Sequence, residues 1–339
     1  MNDAAAPSLR PEVISQAQAL ARALLDEVGR AYVGHPEIPE RILVALLARG
    51  HCLLEGVPGV AKTTLIKATA AAIGGAFKRR QFTPDLLPSD ITGTYVLSPR
   101  DGTFSLRRGP IFAHVVLGDE INRAPAKTQS ALLEAMQERQ VTIDGETHPL
   151  AEPFFVLATQ NPLEQEGTYP LPEAQVDRFL LRVVVPYPTA EDEVRVLRAY
   201  SAKPPVPQPV LTLDNVLWLQ SVADAVHVED EVYAYAVALA QYTRTHPKIA
   251  LGASPRASLA LVLAARAVAL IDGRGFTLPD DVKRVAQAVM AHRILLGAEA
   301  ESEGLTPAAL VEEALARVPY RRLDARDGGG LHGRAVSGR

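Results

Sequence analysis

One stretch constrains the fold more than any other: Gly56-Val57-Pro58-Gly59-Val60-Ala61-Lys62-Thr63-Thr64, set just after the apolar pair Leu53-Leu54. Residues 51–55 read as a short buried strand. Residues 63–73 carry no helix breaker before Gly74-Gly75 and read as a helix. Strand, glycine-rich turn and helix, in that order, form the unit from which parallel sheets with helical crossovers are built. Such a turn points backbone N–H groups at an anion in the mouth of the helix. A lysine then reaches the β/γ-phosphates and a hydroxyl ligates Mg²⁺. Gly56, Lys62 and Thr63 hold the positions a phosphate-binding loop requires, whereas Ala61 stands where the pattern has its last glycine. The ligand implied is ATP or GTP.

Composition sets the outer limits. The 339 residues suffice for two domains, because single cores rarely grow past ~250–300 residues. A hydrophobic fraction of 47% with 22% charged residues is that of a globular chain. The net charge of -4 gives no overall polyanion-binding signature. The lone Cys52 excludes an intramolecular disulfide and argues against a cysteine-based zinc site. The first residues lack a cationic segment followed by an apolar core, and no apolar run approaches the ~18 residues of a membrane span. A cytoplasmic protein is expected.

The pattern along the chain predicts an α/β fold, a parallel sheet covered on both faces, followed by a helical domain. Residues 1–11 read as a disordered N-terminus and 12–187 as the α/β domain. Residues 188–318 read as a helical domain and 319–339 as a flexible tail. Helices are expected at 12–29 and around 42–47, and further strands at 115–117, 154–158 and 181–185. Two Asp-Gly pairs, Asp101-Gly102 and Asp144-Gly145, lie between β-prone runs and predict hairpins at about 93–106 and 140–148. Beyond Pro186-Tyr187-Pro188, helices are expected at 190–200, 214–225, 230–245, 255–271, 279–295 and 307–316, with a proline-rich loop at 203–209.

Four further motifs carry chemistry. Val115-Val116-Leu117-Gly118-Asp119-Glu120 delivers two acids to the C-terminal end of a strand, where open α/β sheets place ligands. Asp119 suits Mg²⁺, and Glu120 suits the orientation and deprotonation of an attacking water. The plainer reading, that both cap the following helix, is weakened because Asn122 and Pro125 can start that helix themselves. Asn161 ends another buried strand, where it either contacts a γ-phosphate or forms an Asn-Pro turn. Arg178 follows Asp177 and serves either as a planar cation for phosphate or as half of a surface ion pair. Ser254-Pro255-Arg256 reads as N-cap, N1 and N2 of a helix, which fixes Arg256 in a first helical turn.

The order of these pieces resembles the AAA+ ATPases, and their wording resembles the MoxR family. The loop Gly56-Val57-Pro58-Gly59-Val60-Ala61-Lys62-Thr63 looks like that family's, in which alanine before lysine is usual. Asp119-Glu120-Ile121-Asn122-Arg123-Ala124-Pro125, Ala158-Thr159-Gln160-Asn161-Pro162 and Leu171-Pro172-Glu173-Ala174-Gln175-Val176-Asp177-Arg178-Phe179 continue the likeness. The resemblance implies that Asn161 is sensor 1 and that Arg256 is sensor 2, closing a helical lid onto the γ-phosphate. Arg178 becomes an arginine finger reaching a neighbouring subunit's nucleotide. The hairpins match the helix-2 and pre-sensor-1 inserts, which commonly line a ring's central pore. Val33-Gly34 falls where the family contacts adenine, although His35 replaces the expected glutamine.

The resemblance further implies a Mg²⁺-dependent ATPase forming a ring, a hexamer, that remodels or activates a protein client in chaperone-like fashion. Its partner commonly carries a von Willebrand factor A domain. Two related readings stay open: a motor subunit for metal insertion into a small-molecule ring, and a DNA-acting motor. The second needs basic hairpin tips. Arg100, Arg107 and Arg108 flank the first hairpin, but Asp144 and Glu146 sit at the second, so nucleic acid is not the expected partner. A non-hydrolysing nucleotide switch is a third reading, and intact Lys62, Asp119 and Glu120 argue against it.

Overall fold

The computed structural model describes residues 9–57, 59–100, 102–162, 168–201 and 205–320. Residues 1–8 of the expected N-terminal segment, Pro58, Asp101, Lys203-Pro204 and the tail beyond 320 lie outside the described residues. Two helices, α1 (Pro11–Ala31) and α2 (Glu37–Leu47), precede β1 (Cys52–Glu55), α3 (Lys62–Ala72) and β2 (Phe77–Gln81). A short α4 (Ser89–Thr92) leads into the hairpin β3 (Gly93–Leu97) and β4 (Phe104–Arg108). Then come β5 (Val115–Asp119), α5 (Ala126–Glu138), the hairpin β6 (Gln140–Ile143) and β7 (Glu146–Pro149), β8 (Phe155–Gln160), α6 (Glu173–Val176) and β9 (Leu181–Val184). The remaining chain holds α7 (Ala190–Ser201), α8 (Leu213–Asp224), α9 (Asp230–Thr245), β10 (Ile249–Leu251), α10 (Pro255–Ile271) and α11 (Pro279–Met290). It closes with β11 (Leu295–Leu296), α12 (Ala298–Ser302) and α13 (Pro307–Arg317).

Five parallel strands form one sheet in the order β2-β5-β8-β1-β9. Both faces of its centre are covered, which explains why β1, β5 and β8 read as unbroken apolar runs rather than alternating ones. The strand period of two still sorts their side chains. Leu54, Leu117 and Leu157 join one buried cluster, while Leu53, Val116 and Val156 join the other. The register aligns Glu55 with Gln160 and Gln81 with Asp119, so the C-terminal ends of four strands form one rim. Helix α1 buries Ala17, Ala21, Leu24 and Val28, the stripe expected of an amphipathic helix, and packs on α3. Helix α10 is buried almost all round and is the centre of the helical region, against α9 and α11.

Both expected hairpins pair their strands, β3 with β4 and β6 with β7, and they touch: the Tyr95 hydroxyl donates to Glu146 and its ring meets His148. Three features depart from the sequence reading. Strand β2, Phe77-Lys78-Arg79-Arg80-Gln81, was not expected; it is an edge strand held by pairing with β5 rather than by its own apolar content. The helix expected at 279–295 ends at Met290 and turns into a 3₁₀ segment, Ala291–Arg293. The region after residue 188 is not wholly helical, since β10 and β11 pair antiparallel in it.

Candidate active site

Gly56 is required by packing as β1 leaves the sheet: a Cβ there would lie 2.5 Å from the Val185 carbonyl. Gly59 takes φ +87°, where glycine alone is unstrained. Ala61 nevertheless adopts φ 58°, ψ 22° as the residue before α3, at a cost of about 1–2 kcal/mol for a residue with a Cβ. That twist directs the N–H groups of the first turn of α3 into a cavity of about 1090 Å³. Gly59, Ala61, Lys62, Thr63 and Thr64 line it, with Asp119, Glu120 and Asn161 opposite. Lys62 Nζ donates to the carbonyls of Gly56 and, at 3.2 Å, Val57, so the ammonium is folded back over its own loop. Val57 packs on the core and Val60 is buried, so these two brace the loop.

The acidic pair is held by residues that sequence reasoning missed. Arg79 on β2 donates to Asp119 Oδ2 from Nε at 3.0 Å and Nη2 at 2.6 Å, while Thr159 Oγ1 donates to Oδ1 at 2.6 Å. Gln81, two residues on along β2, donates to Glu120 Oε2 at 2.6 Å, and Arg123 does so at 3.1 Å. Glu120 is the second non-glycine residue here with positive φ, 55°. Strain of this kind clusters at functional sites. The pairing of Arg79 with Gln81 at a spacing of two was the available signal, but it becomes visible only once β2 is known to be a strand. Asn161 is buried and lines the cavity, and its carbonyl accepts from Asn122 at 3.4 Å.

Val33 lines this cavity and also an adjoining hollow of about 180 Å³. Tyr32, Gly34, His35, Val60, Pro186 and Pro188 are among the residues that line the hollow, which is mostly apolar. Burial, with Glu37 and Asp192 nearby, pushes the Tyr32 phenol up to about 12, so it stays protonated. His35 contacts the Tyr187 carbonyl at 3.3 Å and Glu37 at 3.5 Å.

The two arginines lie elsewhere. Arg178 and Arg256 line a separate cavity of about 320 Å³ with Arg49, Arg139 and Arg293. Ser254 does cap α10, its Oγ accepting from the Arg256 N–H at 3.2 Å, but the same hydroxyl donates to Asp177 at 3.1 Å. That contact fixes the start of α10 beside residue 177. Arg256, whose side chain is 53% exposed, is therefore 3.7 Å from Asp177 and not over the phosphate loop of its own chain. Asp177 pairs with Arg256 and Arg293, and the buried Nε of Arg178 has no hydrogen-bond partner among the described residues.

Thr63 and Asp119 supply hard oxygen donors facing one cavity, the donor type Mg²⁺ takes. The first turn of α3 and Lys62 bring N–H groups and a cation to the same cavity, the chemistry that suits a triphosphate. Among the described residues, no cluster of three or more His, Cys, Asp or Glu could hold a metal, and no helix is long and apolar enough to cross a membrane.

Comparison with known proteins agrees with this geometry. The family described as "ATPase family associated with various cellular activities (AAA)" matches residues 51–181, and the AAA lid domain matches 241–314. The chain is 44% identical to Chaperone MoxR1 of Mycobacterium tuberculosis, covering 92% of this chain and 85% of that one. It is 34% identical to protein MoxR of Paracoccus denitrificans, covering 82% and 89%. The crystal structure of a candidate ATPase from Cytophaga hutchinsonii superposes with a TM-score of 0.86 at 41% identity, covering 92% of this chain and 98% of that one. The loop, the acidic rim and the extent of these matches together make the chain a member of the MoxR family of AAA+ ATPases.

Proposed function

We propose that the chain is a Mg²⁺-dependent ATPase that works as a closed ring of six subunits in the cytoplasm and remodels or activates a protein client. Mg²⁺ held by Thr63 and Asp119 would supply neutralisation of the charge that develops on the phosphate. The chain's own residues do the rest. Lys62 leaves its loop carbonyls and, with the first turn of α3, holds the β/γ-phosphates. Thr63 and Asp119 hold the metal. Glu120 takes the proton of the attacking water, and Asn161 orients that water against the γ-phosphate. Val33 and Gly34, with the apolar hollow beside them, take the adenine.

The observation that carries this reading is the separation of the cations. The phosphate cavity lacks both Arg178 and Arg256 among its lining residues, and the two share a second cavity on another face. The arginines that do line the phosphate cavity are engaged, Arg79 with Asp119 and Arg30 with Glu27, so the arginine for transition-state charge comes from the next subunit, with Arg178 as the finger and Arg256 beside it. Catalysis here is positioning and electrostatics, so the finger carries much of the rate. Arg178→Ala should bind ATP as wild type does and lose about 10³-fold or more in turnover. Equal turnover at all protein concentrations overturns the assignment.

The chaperone-like role follows the name of the mycobacterial relative, and a von Willebrand factor A partner follows the family resemblance. Trapping ATP-loaded Glu120→Gln protein and identifying what co-purifies tests both. A protein carrying that domain, or a stable client, supports the reading. DNA alone, or a metal-inserting enzyme complex, moves it to one of the alternatives.

A further inference from the structure

Arg293 is a lid residue whose side chain is only 3% exposed, and almost all of its hydrogen bonding goes to the segment that carries Arg178. Its Nε donates to Asp177 Oδ1 at 2.7 Å. Nη2 donates to the carbonyls of Asp177 at 3.1 Å and Phe179 at 2.7 Å, and Nη1 to that of Leu180 at 3.2 Å. Nη1 also reaches Val289, at the end of its own helix. His292 beside it contacts the Phe179 carbonyl at 3.2 Å. The early end of α11 and its turn into 3₁₀ geometry are what aim both side chains at residues 177–180.

The far side of the Asp177 carboxylate receives Ser254 and Arg256 from the start of α10. One carboxylate therefore joins two lid elements to the residue next to Arg178. A guanidinium making a planar fork of bonds fixes direction as well as distance. Among the described residues, Arg178 has no such anchor of its own at Nε.

We propose that Arg293 is a positioning residue for hydrolysis in the neighbouring subunit: by clamping residues 177–180 to the lid it presents Arg178 and Arg256 together at the face that meets the neighbour's nucleotide. This rests on the in-trans reading above. A misplacement of about 1 Å in a positioning element costs on the order of 10²-fold in rate. Arg293→Met should therefore lower turnover by about 10–10²-fold and leave the affinity for a fluorescent ATP analogue within about twofold of wild type. Asp177→Asn, which keeps the carbonyl bonds of Arg293, should do the same more mildly. Arg293→Lys, which keeps charge but not the fork, should not restore the rate.

Mixed assemblies distinguish positioning from general support of the fold. Equal amounts of Arg293→Met and Lys62→Ala protein are combined before ATP is added. The first offers an intact nucleotide site and the second an intact finger, so activity should exceed the sum of the parts several-fold. Arg293→Met mixed with Arg178→Ala should give no such gain. Arg178→Ala with Lys62→Ala is the control. Recovery in the control without recovery for Arg293→Met overturns the role of Arg293 alone, as does a gain on mixing with Arg178→Ala. No recovery in the control overturns the in-trans reading and this inference with it. Should Arg293→Met not fold, Asp177→Asn takes its place in each mixture, and the same gains and failures to gain support or overturn the role.

Discussion

The phosphate cavity and the arginine cavity are built by opposite means. The first is assembled from strand ends that the parallel register brings to one rim, and its loop is nine consecutive residues, 56–64. The second gathers residues from 48–51, 136–139, 177–180, 256–263 and 293, which no local pattern connects. The first sets the N–H groups of a helix start and Lys62 opposite oxygen donors; the second gathers five arginines. On the proposed reading, a chain divided in this way binds nucleotide alone and hydrolyses it only in company. The lesson is that part of what turnover needs, the arginines, lies outside the cavity that binds, so affinity and turnover can be separated by mutation.

The largest effect that separates them should come from Glu120→Gln. It removes the base but not the binding surface, so turnover should fall by about 10²–10⁴-fold while ATP remains bound. Steady-state hydrolysis and equilibrium binding, measured on the same preparation, check it. Undiminished turnover removes Glu120 from the mechanism.

Acid should attack the arginine side first. His51, which lines that cavity, accepts from the Val156 N–H at 3.0 Å and contacts the Met136 carbonyl at 3.1 Å. Burial pushes it down to about 4. Burial, with Arg293 beside it, also holds His292 well below the usual histidine range. Both are neutral when folded and protonate more readily when unfolded. Their stabilisation is therefore complete above about pH 6.5 and lost as pH falls. Between pH 6.5 and about 4, His51 alone accounts for about 3 kcal/mol. Denaturant midpoints across that window should decline steadily toward acid, and a flat profile contradicts the burial argument.

Lys62→Ala should act on the other region. Loss of a charged hydrogen-bond donor to phosphate is worth about 1.5–3 kcal/mol, so ATP should bind roughly 10–150-fold more weakly by titration. The smallest effect is Ala61→Gly. Relief of the left-handed strain at φ 58° is partly offset by glycine's greater chain entropy, leaving a gain of about 0.5–1 kcal/mol. Thermal melts of the paired proteins decide its sign.

These regions also differ in how much of them could be read beforehand. The loop, Asp119-Glu120 and Asn161 lie on elements that hydrophobic runs and glycine turns announce, and they line one cavity. The edge strand β2 could not be read, because Lys78, Arg79 and Arg80 hide a strand whose order comes from its partner β5. Arg79 and Gln81, which hold the acidic pair from that strand, were lost with it. Arg256 was legible as a capped helix start but not as a neighbour of Arg178, since that depends on a hydroxyl–carboxylate contact across 77 residues. Arg293 looked like the end of a longer helix. Its bonds to residues 177–180 span 113–116 positions, a separation that periodicity does not see.

The central claim is that each active site is finished by the next subunit. Specific ATPase activity, measured per subunit over a dilution series alongside sedimentation, tests it most directly. Activity should fall in step with loss of the assembled species, while nucleotide affinity of the monomer persists. Constant activity per subunit in protein that sediments as a monomer contradicts it.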